Sequence, residues 1–329
     1  MSELGFGAAA LGNLYRPVSD HSAEETLQAA LDAGITYFDT APYYGFGLSE
    51  RRLGNALRTK RDVVLSTKVG RLLAPDHTVL NASERFGFVS PMPFRPVFDY
   101  SHDGILRSFE DSLQRLGMAR INILYVHDIG RLTHGPANHD HIQALTKGGG
   151  LKALERLRSE GVVDGFGIGV NEVPICLEIM EATHLDVILL AGRYTLLEQH
   201  PLKDLLPRCA QAGTKVVVGG PYNSGVLATG TRSGAAAYYD YAPASADILA
   251  KVAAIEGVCE RHAVPLAAAA LQFPIAHPVV SSVIPGLGSA DRIRETIALT
   301  EHTIPDEFWS ELKSEGLLDV QAPVGRAAL

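Results

Sequence analysis

Four residues in the first 127 of the chain carry side chains suited to moving a proton on and off an oxygen: Asp39, Tyr44, Lys68 and His127. Three of them end apolar runs. Ile35, Tyr37 and Phe38 lead to Asp39, VVLST leads to Lys68, and ILYV leads to His127. Tyr44 lies just beyond Asp39, in the Pro/Gly loop APYYGFG. A free phenol has a pKa of about 10, too high for ready proton exchange near neutrality. A neighbouring ammonium favours the phenolate and lowers that value. Asp39 would keep Lys68 charged and oriented, and His127 would hydrogen-bond the phenol or the reacting oxygen. Tyr44 then becomes a general acid/base for an oxygen that alternates between carbonyl and alcohol. That interconversion needs a hydride carrier, which no side chain provides, so a nicotinamide cofactor is implied. Taken singly, each residue has an ordinary reading: a strand-end Asp caps a turn, and a strand-end Lys or His is a solvated rim residue.

The elements that must bring these groups together follow from periodicity. Strands are expected at 4–9, 35–40, 63–68, 121–127, 165–170, 186–191, 214–219 and 280–285, with helices between them. DAGI, RLGM, SEGV and QAGT each place a glycine between a helix and the next strand, the C-terminal stop of a repeated helix–strand turn. Ser22 and Glu25 have the spacing of a capping box for the first helix. Eight such units in 329 residues predict an α/β fold, a (β/α)8 TIM barrel over 1–329 without a second domain. A doubly wound open sheet is the competing fold, and the absence of GxGxxG near the N-terminus counts against it. Active sites of barrels lie at the C-terminal ends of the strands, where Asp39, Lys68 and His127 fall. Three long stretches, 70–100, 128–147 and 220–246, show no clear period.

Composition excludes some partners. The net charge is −8 (Lys+Arg 29, Asp+Glu 37), which argues against nucleic acid or an anionic membrane. No run of about 18 apolar residues is present, so no membrane span is expected. With no basic and apolar leader at the N-terminus, the cytoplasm is the expected location. Cys176, Cys209 and Cys259 form no metal or disulfide motif and are expected to pack in helices. His134, His139 and His141 lack ligand spacing, so no metal is expected. Tyr238, Tyr239 and Tyr241 read most simply as loop packing, and Trp309 as the anchor of the last helix.

Beyond these readings, the chain resembles the aldo-keto reductase superfamily over nearly its whole length. The resemblance is carried by LGFG (4–7), FDTAPYYGFGLSE (38–50), STK (66–68), VHD (126–128), GVN (169–171) and IPG with DRIRE (284–295). It implies a catalytic tetrad of Asp39, Tyr44, Lys68 and His127, with Tyr44 as proton donor and acceptor. Tyr43 would line the substrate pocket together with Tyr44 and His127. It also implies a cofactor extended across the barrel mouth. Asn171 would meet the carboxamide, while the family's following glutamine is replaced by Ala191. The loop Gly219, Gly220, Pro221, Tyr222, Asn223, Ser224, Gly225 and Leu227 would wrap the pyrophosphate, as a small-residue loop rich in backbone N–H groups can. Gly286, Arg292 and Thr296 would lie at the adenosine end. Gly286 and Leu287 stand where 2′-phosphate-binding members carry Lys and Ser, which favours NAD, with NADP possible.

The wording YYGFGLSERRLG, YVHDIG and GFGIGVNE is similar to a bacterial branch containing L-fucose/D-threo-aldose 1-dehydrogenases and pyridoxal 4-dehydrogenases. The expected reaction is oxidation of a cyclic hemiacetal to a lactone, with an aldose placed first and pyridoxal as the alternative. An Asp or Asn in the pocket would favour the sugar. A flatter aromatic pocket, with Phe46, Phe88, Phe94 and Phe98 as candidates, would favour pyridoxal. Remoter alternatives are a generic carbonyl reductase, a Schiff-base aldolase using Lys68, and a noncatalytic cofactor-binding subunit.

Overall fold

Alternation within the strands decides which side chains enter the barrel. The structure, a computed structural model, describes residues 1–79, 84–232, 234 and 236–325. Eight parallel strands form one sheet in sequential order. They are β1 (Phe6–Gly7), β2 (Tyr37–Asp39), β3 (Val64–Val69), β4 (Ile123–His127), β5 (Gly165–Val170), β6 (Val187–Ala191), β7 (Lys215–Gly219) and β8 (Val280–Ile284). Parallel bridges Leu4↔Val283 and Gly7↔Gly286 join the first strand to the last and close the barrel.

Tyr37, Tyr125, Val187, Leu189, Val217 and Ile284 make a cluster of their own, the barrel interior. Their neighbours Phe38, Leu65, Leu124, Val126, Ile188 and Val218 belong to the larger core under the helices. A strand side chain reappears on the same face every second residue. Tyr37 inward therefore places Asp39 inward, and Tyr125 inward places His127 inward. The register Asp39↔Ser66 and Lys68↔Tyr125 carries the same layer across β3.

The expected strands are all present, although β1 is only two residues and runs into a 3-10 turn, Ala8–Gly12. Gly34, Gly117, Gly161 and Gly213 all have positive φ, as their helix-stop reading requires. The first helix starts a turn earlier than expected, at Asp20, because Ser19 rather than Ser22 caps it: Ser19 Oγ accepts from the Ser22 N–H (3.0 Å). The long stretches are partly ordered. Arg71–Pro75 pairs antiparallel with Phe94–Phe98, and Glu84–Arg85 with Phe88–Val89. Helices Arg131–His134 and Asn138–Thr146 occupy the second stretch, and Tyr238–Tyr239 pairs with Ala242–Pro243 in the third. Residues 80–83, 233, 235 and 326–329 lie outside the described residues. The three cysteines are buried and free, and Trp309 (3% exposed) packs on Phe308 and Phe273. No helix among the described residues is long and apolar enough to cross a membrane.

Candidate active site

Lys68 sits at the centre of the four groups. Its Nζ donates to Asp39 Oδ2 (2.6 Å), to the Thr40 carbonyl (2.9 Å) and to the Tyr44 hydroxyl (3.1 Å). Lys68 and Asp39 are each 2% exposed. A buried charge pair of this kind persists only when its remaining polar atoms are also satisfied. They are: Ser66 Oγ donates to Asp39 Oδ1 (2.7 Å), and Tyr37, Ser66 and Tyr125 share hydroxyl contacts of 3.0 Å below it. Space for the lysine stem comes from Gly169 on β5, where a Cβ would lie 3.4 Å from Lys68 Cε.

The Tyr44 loop is held by backbone contact. A Cβ on Gly45 would meet the Gly12 carbonyl oxygen at 2.5 Å, and one on Gly12 would meet the Tyr44 carbonyl carbon at 2.5 Å. Only glycine permits that approach. Ser49 Oγ, in the following helix Leu48–Leu57, donates to the Ala8 carbonyl (2.8 Å), and buried Glu50 accepts from Thr67 Oγ1 (2.7 Å). The helix that follows the loop is thereby tied to the turn after β1 and to β3.

Electrostatics qualify the sequence reading. Burial raises the Tyr44 phenol above its usual range; Lys68 opposes this, as expected, but does not overcome it. The resting phenol is therefore neutral. Burial works against the Lys68 ammonium, but Asp39 and Tyr44 outweigh it and hold the amine above the usual lysine range. A Schiff-base lysine needs the opposite, an amine driven down to its free-base form. Burial, with Arg71 and Lys68 nearby, depresses the His127 imidazole well below its usual range. His127 is thus a neutral ring. Its buried Nδ1 has no partner among the described residues, which suits an unprotonated nitrogen and leaves Nε2 as the donor. Its ring stands perpendicular to Tyr44 at 6.1 Å between centroids, so the two flank a common space.

Aromatic rings wall that space. Tyr43 meets Phe88, Phe46 and His127 edge-on at 5.5, 5.7 and 6.1 Å, and Phe86 lies 6.3 Å away. Tyr241 is 68% exposed in the Tyr238–Pro243 hairpin, where its N–H donates to Ser224 Oγ (3.0 Å). His134 and His141 lie against each other with tilted rings (4.1 Å between centroids) and both meet Tyr100 edge-on.

The remaining sequence candidates divide. Asn171 follows β5, and its carbonyl accepts from Arg193 Nε (2.8 Å), while its side chain has no hydrogen bond among the described residues. The Gly219–Gly225 segment is a tight turn with left-handed Gly220, Asn223, Ser224 and Gly225. Asn223 Nδ2 donates to the Gly192 carbonyl (3.0 Å), yet its buried Oδ1 is unpartnered. Pro221 is buried beside this turn. Tyr222 is raised to about 12 by burial, with Arg292 close enough to oppose the shift. Leu227 departs from the expectation: its side chain is wholly in the core and its N–H is bonded to the Tyr222 carbonyl, so nothing remains for a ligand. Arg292 pairs with Glu295 (3.1 Å), Leu287 is buried, a Cβ on Gly286 would meet nothing, and Thr296 keeps an unpartnered buried Oγ1.

Two arrangements escaped the sequence reading. Arg71 forms an ion pair with Asp128 beside His127 and lies 4.3 Å over the Tyr43 ring. Arg193 donates both to Asn171 and, through two bonds of 2.8 Å, to Asp240 in the Tyr241 hairpin.

The aldo/keto reductase family profile matches residues 3–315. A pyridoxal 4-dehydrogenase of Microbacterium luteolum is 47% identical over 97% of this chain and 95% of its own length. A D-threo-aldose 1-dehydrogenase of a Pseudomonas species is 40% identical over 96% and 94%. An aldo-keto reductase structure from Bacillus halodurans superimposes with TM-score 0.71 at 27% identity, over 95% of this chain and 91% of that one. The chain belongs to the aldo/keto reductase family, and it is an NAD(P)-dependent oxidoreductase with a (β/α)8 barrel.

Proposed function

We propose that this enzyme oxidises a cyclic hemiacetal hydroxyl to a lactone, with the hemiacetal of pyridoxal as its first substrate and an aldose as the second. The aromatic wall of Tyr43, Phe86 and Phe88 beside Tyr44 and His127 carries this order, because it suits a flat ring. The order of identity among the two relatives agrees with it. The aldose reading rests on Asp128, an acceptor at the same mouth. We further infer a single barrel domain and the tetrad Asp39, Tyr44, Lys68 and His127 as its catalytic residues.

The residues at the mouth suit a nicotinamide cofactor. Among the described residues the Asn171 side chain makes no hydrogen bond, Asn223 and Thr296 keep unpartnered buried oxygens, and the left-handed turn at 223–225 orients backbone N–H groups. When bound, the nicotinamide supplies the hydride acceptor. Tyr44 must first lose its proton; as the phenolate that Lys68 stabilises it takes the substrate's hydroxyl proton and becomes the neutral phenol, while Asp39 holds Lys68 and neutral His127 donates Nε2–H to the reacting oxygen. The pairing of Arg292 with Glu295 and the burial of Leu287 favour NAD over NADP.

The phenol is raised, so its proton-free form gains population as pH rises. The kcat/KM for oxidation should therefore climb through the neutral range into alkali. No histidine break should appear near about 6.5, since His127 does not titrate there. A flat profile, or one governed by a group near neutrality, contradicts the assignment. Coupling of Tyr44 to Lys68 means that the break belongs to the pair.

The Arg193–Asp240 pair holds the Tyr241 hairpin against the segment carrying Asn171. Asp240→Asn keeps the left-handed backbone but loosens this tie. The cofactor dissociation constant, read by fluorescence titration, should rise roughly three- to tenfold. An unchanged constant removes the hairpin from cofactor retention.

A further inference from the structure

Asp128 follows His127 directly and is not needed for proton transfer. Its φ is +46°, a region that Asp tolerates better than most residues. Its N–H donates to the Gly169 carbonyl (2.9 Å), which fixes the backbone to β5. One carboxylate oxygen, Oδ2, is held by Arg71 Nη2 and lies 3.5 Å from His127 Nε2. Arg71 is itself immobilised. It is 5% exposed, with its guanidinium 4.3 Å from the Tyr43 ring and 5.1 Å from that of Phe98. The other oxygen, Oδ1, has no partner among the described residues, and the side chain is 27% exposed. With Asp128 Oδ2 3.5 Å from His127 Nε2, its partner Arg71 over the Tyr43 ring, and the His127 ring beside Tyr44, the carboxylate sits at the same mouth as the proton donor.

We infer that Asp128 is a specificity-determining residue whose free carboxylate oxygen accepts a hydrogen bond from the substrate hydroxyl flanking the reacting carbon. This rests on the hemiacetal reading. His127 Nε2 addresses the reacting oxygen, and a carboxylate fixed beside that nitrogen reaches the neighbouring group instead. An aldose offers its C2 hydroxyl there, and pyridoxal its ring hydroxyl. A carboxylate only accepts, so it selects a donor and rejects a carboxylate or phosphate at that place. Arg71 is a positioning residue: it keeps the carboxylate from turning away.

The test compares kcat/KM for substrate pairs that differ by this hydroxyl, in the wild type and in Asp128→Asn. L-fucose is paired with 2-deoxy-L-fucose, and pyridoxal with 3-deoxypyridoxal. Asn preserves size and tolerates positive φ. In the wild type, loss of the hydroxyl should lower kcat/KM on the order of a hundredfold, mostly through KM. In D128N that gap should shrink at least tenfold. An equal gap in both proteins overturns the inference and leaves Asp128 as the counter-charge of Arg71. If D128N does not fold, Arg71→Met/Asp128→Asn removes the buried cation as well, and the same gap decides. If the wild type oxidises none of the four compounds, the hemiacetal reading itself fails. Turnover with an unchanged gap overturns the Asp128 inference alone.

Discussion

Tyr44→Phe should lower kcat by about a hundredfold to ten-thousandfold while the fold and cofactor affinity stay close to wild type. Among the described residues the phenol oxygen makes one hydrogen bond, that from Lys68 (3.1 Å), so its removal leaves little unsatisfied. The ring still has Phe88 and His127 beside it and Lys68 Nζ 4.6 Å from its centroid. Activity and stability should therefore separate. Single-turnover rates with saturating cofactor would show it, and a variant retaining more than about a tenth of the wild-type rate would place the proton elsewhere. A parallel loss of stability would mean that Tyr44 is structural.

Lys68→Met should abolish activity and also weaken the fold. Asp39 would be left buried without its cation, a change that costs about 3–5 kcal/mol when one partner of a buried pair is removed. Burial already raises Asp39, and Lys68 is the largest influence opposing it. Without Lys68 the carboxyl takes up a proton in the folded state at a pH where the unfolded chain does not. A group raised in the folded state favours folding at low pH and loses that contribution as pH rises. The stability deficit of the variant should thus shrink as pH falls from neutral toward 4, the range where an unfolded Asp, with a pKa of about 3.9, also protonates. Asp39→Asn added to Lys68→Met should recover much of the stability and none of the activity. Denaturant titrations at two pH values distinguish these cases. A single variant as stable as wild type at neutral pH contradicts the buried-pair description.

How much of this was legible in the chain depends on distance and period. That Asp39, Lys68 and His127 come together was legible because period-2 alternation is local. Tyr37 and Asp39 share one face, as do Tyr125 and His127, and strand ends are marked by loops rich in Pro and Gly. The helix-stop glycines were legible for the same reason. The hairpin Arg71–Pro75/Phe94–Phe98 was not. Its second strand contains Pro96, which suits only an unpaired edge, and its partner lies beyond an irregular insertion. The Arg71–Asp128 and Arg193–Asp240 pairs join residues 57 and 47 positions apart, and no local pattern announces such a pair. Leu227 was misplaced because its apolar side chain follows the small-residue turn in sequence but faces the core in space. The sign of the Tyr44 shift was misjudged for a related reason. A lysine neighbour can be read from a motif, whereas the depth of burial that outweighs it emerges only from the assembled barrel.

Steady-state oxidation of pyridoxal with NAD, followed by the absorbance of the reduced nicotinamide and by identification of the product, tests the proposed function most directly. L-fucose, D-arabinose and L-galactose serve as the comparison substrates, and NADP as the comparison cofactor. The expected result is formation of the lactone with one reduced NAD per molecule, higher kcat/KM for pyridoxal than for the aldoses, and tighter binding of NAD than of NADP. Oxidation of the aldoses alone would reverse the order of substrates. Absence of lactone from every hemiacetal, with cofactor bound, would contradict the proposed reaction.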